Sequence, residues 1–178
     1  MTESIPRRQI CGFLFVSIFG TFLHFLFDLT GGNILAGLFS PVNESIWEHL
    51  KLLFYPMVLV ALWQYFRWGH HLPDFWCVKT MGILLGLLLI PVLYYSYSGV
   101  WGVNIDLVNI AIFFLVAAIA YYWETRRFRS GKVCKCPGWV WIILLIIISL
   151  LFTIFTLYPP KIPLFQDPMT NSYGIFGM

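Results

Sequence analysis

WVWIILLIIISLLFTIFTLY, residues 139–158, runs without a single charged side chain. A helix of that length rises by about 30 Å, the thickness of a bilayer's hydrocarbon core. Four further apolar runs lie upstream, at about residues 9–29, 50–67, 78–97 and 105–123. The 178-residue chain is 60% hydrophobic and 11% charged, whereas a soluble domain carries about 25% charged residues. The expected fold is therefore all-α, an integral membrane bundle of five transmembrane helices forming a single domain over residues 1–178. Its end, 159–178, contains Pro159, Pro160, Pro163 and Pro168, and such a proline-rich tail cannot make a sixth span.

The basic residues set the expected orientation, because positively charged loops stay cytoplasmic. Arg7 and Arg8 precede the first span, Arg67 and Lys79 flank the loop after the second, and Arg126, Arg127, Arg129, Lys132 and Lys135 follow the fourth. Only Lys51 and Lys161 fall on the opposite side. The N-terminus is expected inside and the C-terminus outside. The net charge of +3 then reports topology, and with no basic stripe left to track a phosphate backbone no nucleic-acid partner is expected. The first span is too long for a signal-peptide core and no small-x-small cleavage site follows, so it reads as a retained anchor.

All four cysteines, Cys11, Cys77, Cys134 and Cys136, fall on the side read as cytoplasmic, where thiols stay reduced and no structural disulfide is expected. Cys134-Lys135-Cys136 with Cys77, His70 and His71 offers soft-metal ligands, although the two-residue cysteine spacing usual for zinc is missing. Pro56 and Pro91 should kink the second and third spans. Gly82 and Gly86, four apart, should let a neighbouring helix come close. Trp101, Trp123, Trp139 and Trp141 sit at span ends as an interfacial belt.

The candidate site is the ionisable cluster between residues 24 and 51, since a charge near a membrane span must face the bundle interior, water or a partner. Ser17, Thr21, His24 and Asp28 recur at helical spacing along one face of the first span. His24 and Asp28 either share a metal ion, pair as base and orienter, or simply bond to each other. The densest polar stretch follows, S-P-V-N-E-S-I-W-E-H-L-K over residues 40–51. Ser45 and Glu48 have the spacing of a capping box, and Glu48 can pair with Lys51 three residues on. Capping explains neither His49 nor Glu44. A helix starting before residue 44 would put Glu44, Glu48 and Lys51 on one face and Ser45 and His49 on the next. Asn43-Glu44-Ser45 also matches a glycosylation sequon, discounted at a helix start beside a membrane.

The string P-V-N-E-S-I-W-E-H-L-K-L, preceded by H-F-L-F-D and followed by P-L-F-Q-D-P and Y-G-I, resembles an uncharacterised family of small bacterial polytopic membrane proteins. The resemblance implies a multi-pass protein of the bacterial cytoplasmic membrane and brings no activity with it. Ser45-x-x-x-His49 is also similar to the serine and histidine pattern of the membrane hydrolases that include alkaline ceramidases and adiponectin-type receptors. Those proteins have seven spans and a late histidine pair, both missing here, so their zinc chemistry is an analogy.

Two functions are compatible with these residues. In the first, the chain is a metal-assisted membrane hydrolase or transferase for a lipid-like substrate. His24, Asp28 and His49 then hold Zn2+, and Glu44 or Glu48, with Ser45 and Lys51, serves catalysis. In the second it is a non-catalytic cation- or partner-binding component. Asp106, with Asn104 and Asn109 at the start of the fourth span, and Asp167 in the tail are additional outward-facing candidates. The tail either folds over the mouth of the bundle, bringing Asp167 near His49, or hangs free. With no ionisable residue read inside the third and fifth spans, an outward-facing pocket is expected rather than a channel.

Overall fold

A computed structural model describes residues 5–72, 74–131 and 134–177. Lys132, counted above among the basic residues, lies outside them. Five long helices carry the chain: α1 (Ile5–Leu29), α3 (Ile46–Arg67), α4 (Phe75–Trp101), α5 (Asp106–Ser130) and α6 (Gly138–Leu157). Each is long and apolar enough to cross a membrane, and no strand occurs among the described residues. The four-residue α2 (Ile34–Gly37) and two 3-10 turns, Gly69–His71 and Pro163–Phe165, fill the connections. Every expected span lies on one of these helices. The helices extend further, as α1 begins at Ile5 and α5 runs to Ser130, because flanking arginines and serines continue a helix at no great cost.

Helix α3 is the centre of the bundle. It packs against α1, α4 and α6, while α5 closes the ring between α1 and α4. Its buried Leu53, Phe54, Met57 and Val60 meet Val16 of α1, Ile83 of α4, Val116 and Ala117 of α5 and Phe152 of α6. By contrast, α1 and α6 leave much of their apolar surface outside, with Ile18 73% and Leu150 55% exposed. That distribution suits helices whose outer faces meet lipid rather than water. Both α3 and α4 continue through Pro56 and Pro91.

Small residues set the closest approaches. Gly82 stands against Glu124 and Gly86 against Leu53, as their spacing led one to expect. The tightest backbone approach is at Gly20 of α1, where an added Cβ would lie 2.6 Å from the Leu52 carbonyl oxygen of α3. Contact this close holds the two helices that carry His24 and His49 in register.

Among the described residues, two buried ion pairs lie inside the bundle. Lys51 Nζ is 2.7 Å from Glu48 Oε2, and Lys79 Nζ is 2.6 Å from Glu124 Oε2. Lys79, read from sequence as flanking the loop before the third span, is buried in α4, so the third span does carry a charge. Gln9 Nε2 donates to Glu124 Oε2 at 3.0 Å, and Gln64 and the Tyr121 ring complete the surroundings. Lone charges in a low-dielectric interior would be prohibitive, and mutual pairing is what makes them tolerable.

A second correction concerns the cysteines. Cys77 at the start of α4 and Cys134 in the α5–α6 connection form a disulfide, while Cys11 and Cys136 are free and exposed. The backbone N–H of Cys134 also donates to Asp74 Oδ1 at 3.0 Å. The bond takes up two of the three thiols that the soft-metal reading required. The expectation of no disulfide rested on compartment alone, whereas the fold brings two residues 57 positions apart to bonding distance.

Candidate metal centre at the mouth of the bundle

Helix α3 begins at Ile46, with Ser45 as its N-cap in extended backbone and its Oγ accepting from the Glu48 N–H at 3.4 Å. Glu44 therefore lies before the helix rather than on it, and the chain there is free to turn the carboxylate toward His49. His49 Nε2 is 3.3 Å from Glu44 Oε2, with side chains 26% and 52% exposed. The other ring nitrogen, Nδ1, lies 3.0 Å from the Ser45 carbonyl oxygen, which can only accept. That contact fixes the tautomer and leaves Nε2 pointing at Glu44. His24 reaches the same place from α1, its ring centroid 5.2 Å from that of His49. The Nδ1 of His24 is buried with no hydrogen-bond partner.

One ligand atom each from His24, Glu44 and His49 falls within 4.8 Å of the others. With zinc–nitrogen and zinc–oxygen bonds of about 2.0–2.1 Å, tetrahedral ligands stand about 3.3 Å apart. The His49–Glu44 separation already has that value, and a ligand atom of His24 lies within 4.8 Å of both. Glu44 lies outside the membrane-spanning segments. When His49 is the imidazolium, its Nε2–H donating to Glu44 and its charge hold that carboxyl below the usual carboxylate range, against partial burial that pushes the other way.

The remaining sequence candidates separate. Glu48 and Lys51 are buried away from this cluster, 2% and 0% exposed. Lys51 Nζ donates to Glu48 Oε2 at 2.7 Å, to the Gly37 carbonyl at 2.8 Å and to that of Ser40 at 3.2 Å. Glu48 accepts in addition from Val42 N–H and from Thr156 Oγ1, at 3.1 and 2.8 Å. Every strong partner is taken, so these two residues staple α3 to the α2 connection and to α6. Ser45 is buried and occupied by its cap. Asp28, one turn beyond His24, is exposed and outside the ligand cluster, close enough to act on the imidazole through space.

Asp106 heads α5, exposed, beside a small network in which Tyr97 donates to Asn109 at 2.5 Å and Asn109 donates to Asn104 at 2.7 Å. It does not join the cluster. The tail does fold onto the bundle. Phe165 packs on Trp47 and Phe155 with ring centroids 4.8 and 5.2 Å apart, and Ile175 N–H donates to the Thr156 carbonyl at 3.0 Å. Asp167 is consumed within the tail, its Oδ1 accepting from Met169 N–H at 2.7 Å. Sequence reasoning passed over the Gln9–Gln64–Lys79–Glu124 cluster. Glu124, a carboxylate in the apolar run A-Y-Y-W-E, was the signal that could have found it.

No curated protein and no solved structure matches the chain. A family model does match residues 2–175, almost the whole length. The chain, an all-helical bundle with five helices fit to span a membrane and a two-histidine, one-carboxylate cluster at one end, belongs to DUF6512, a family of unknown function.

Proposed function

We propose that this protein is a multi-pass component of the bacterial cytoplasmic membrane whose outward-facing cluster of His24, Glu44 and His49 binds a divalent transition metal, zinc first. Its function on this reading is that of a metal-assisted hydrolase or transferase acting on a lipid-like, amphipathic substrate. The carrying observation is the convergence of the three ligand atoms within 4.8 Å. Two imidazoles and a carboxylate favour zinc over calcium or magnesium, which prefer all-oxygen shells. Three protein ligands leave a fourth position, and a metal there supplies a Lewis acid and a water acidified toward neutrality. Glu44 takes the ligand role first assigned to Asp28, and Asp28, exposed beside His24, is the carboxylate left to accept a proton.

The second reading, a non-catalytic cation-binding component, gains from one observation. Glu48 and Lys51, the groups that would have served acid–base steps, are locked in a structural pair. Metal analysis after chelator-free purification separates these readings from a purely structural network. About one zinc per chain, lost in His49→Ala while the far-ultraviolet dichroism stays native, is the expected result. Bound zinc without metal-dependent hydrolysis of any ester or phosphoester lipid in a broad panel would leave the cation-binding reading. No metal in the wild-type protein would remove both.

A further inference from the structure

At the opposite end of the bundle from the metal cluster, the ends of α1, α3 and α5 and the Gly69–His71 turn enclose a cavity of about 280 Å³ lined by Arg8, Arg67, Trp68, His71 and Phe128. We propose that this cavity binds the headgroup phosphate of an anionic phospholipid.

The first argument is charge. Arg8 and Arg67 border one hollow, and neither pairs with a carboxylate among the described residues, whose ion pairs are His49–Glu44, Lys51–Glu48 and Lys79–Glu124. Two guanidiniums beside one cavity repel each other until an anion sits between them, and a phosphate with its several oxygens matches their forked donors.

The second argument is preorganisation. The Arg8 guanidinium lies over the Trp68 ring, 5.2 Å from its centroid, and the Arg8 carbonyl accepts from Gln64 Nε2 at 3.2 Å. Backbone and charge are both held, which lowers the ordering cost on binding. Trp68 itself lines the cavity beneath the Arg8 guanidinium.

The third argument separates a lipid from a free anion. Ile5, Leu72 and Phe128 give the cavity an apolar floor. Close to the two arginines in sequence, Phe66 is 74% and Ile10 57% exposed, apolar surface of the kind that acyl chains cover. A headgroup in the hollow would leave its acyl chains running down this surface. Basic pockets between helix ends on the positively charged side of a membrane protein bind headgroups in this manner.

The test is titration of phosphatidylglycerol into the detergent-solubilised full chain, read by native mass spectrometry. Arg8→Gln/Arg67→Gln should weaken retention about tenfold or more relative to wild type, whereas Arg7→Gln, which removes one charge outside the cavity and is matched in charge by Arg67→Gln alone, should change it little. Arg67→Gln alone, at an exposed position in the last turn of α3, should show a smaller loss in the same direction and serves if the double variant does not fold. Equal loss in Arg7→Gln would mean diffuse surface charge and overturn the site. Equal retention of phosphatidylcholine, or displacement of the lipid by millimolar inorganic phosphate, would overturn the lipid assignment.

Discussion

Replacing Lys51 with methionine removes a buried cation while keeping its length, and the surrounding contacts set the expected cost. Three acceptors lose their donor: Glu48 Oε2 at 2.7 Å, the Gly37 carbonyl at 2.8 Å and the Ser40 carbonyl at 3.2 Å. The carboxylate keeps Val42 N–H and the Thr156 hydroxyl, both neutral donors, so its negative charge stays buried without a counter-charge. Breaking one side of such a pair costs about 3–5 kcal/mol. Adding Glu48→Gln should then recover part of the loss, because an amide oxygen in the Oε2 position still accepts from Val42 N–H while its NH2 donates to the Thr156 hydroxyl oxygen, whose proton has the Phe152 carbonyl to go to, and no uncompensated charge remains. Denaturant-induced unfolding in mild detergent, followed by tryptophan fluorescence with Trp47 one residue from Glu48 as a near reporter, measures all three variants. A loss below about 1 kcal/mol for Lys51→Met would refute the structural assignment of this pair, since neutral surface changes fall in that range. So would a Glu48→Gln variant of full stability that lost metal-dependent activity.

Gly20→Ala should cost about 1–3 kcal/mol by overpacking, because the new methyl meets the rigid Leu52 carbonyl, and should weaken metal binding by moving His24 one turn away; unchanged thermal unfolding and metal content would contradict it. The Glu44 carboxyl, held low by His49, contributes stability that is present above the ordinary glutamate pKa of about 4.3 and lost as pH falls through the lowered value. Glu44→Gln should therefore flatten the acid limb of a thermal-stability profile of the metal-free protein, and an identical limb would show that the contact carries nothing. Metal occupancy should drop below about pH 6, where imidazoles protonate, as followed by equilibrium dialysis; flat occupancy to about pH 5 would exclude histidine ligation. Alkylation of the denatured, unreduced chain should label Cys11 and Cys136 alone, with Cys77 and Cys134 labelled only after reduction; labelling of all the cysteines without reductant would mean that the bond does not form in the cell. A single thiol introduced at position 170 should react only with impermeant reagents from outside if the C-terminus is external, and inside-only labelling would reverse the orientation.

The five-helix architecture was legible because its cause is local: an uninterrupted apolar run either spans a bilayer or does not. His49 was legible for a related reason, since helix capping accounted for Ser45 and Glu48 but left that imidazole unexplained. What the sequence hid was burial. Glu48 and Lys51 at a spacing of three look the same whether they line a pocket or close on each other inside the bundle, and only the packing of α2 and α6 over them decides it. Register was hidden too. Whether Glu44 belongs to α3 depends on one residue at the helix start, and once Ser45 caps the helix Glu44 swings out to His49. The Lys79–Glu124 pair and the Cys77–Cys134 bond join residues far apart in the chain, through helix neighbours that periodicity does not specify.

The two internal ion pairs differ in a way that bears on biosynthesis. Glu48 and Lys51 sit three apart on α3, so that helix can leave the insertion machinery already neutral. Lys79 and Glu124 belong to α4 and α5. Lys79 stands in the first turns of α4, where its long side chain can reach the interface until α5 has been synthesised and supplies the carboxylate. The pair is complete only when α4 and α5 are side by side, with α1 delivering Gln9 to the same carboxylate. The Cys77–Cys134 bond joins the beginning of α4 to the segment just after α5, so it can close only behind that event. Chain order thus becomes an assembly order, with α6 and the tail docking last onto a core whose charges are already matched.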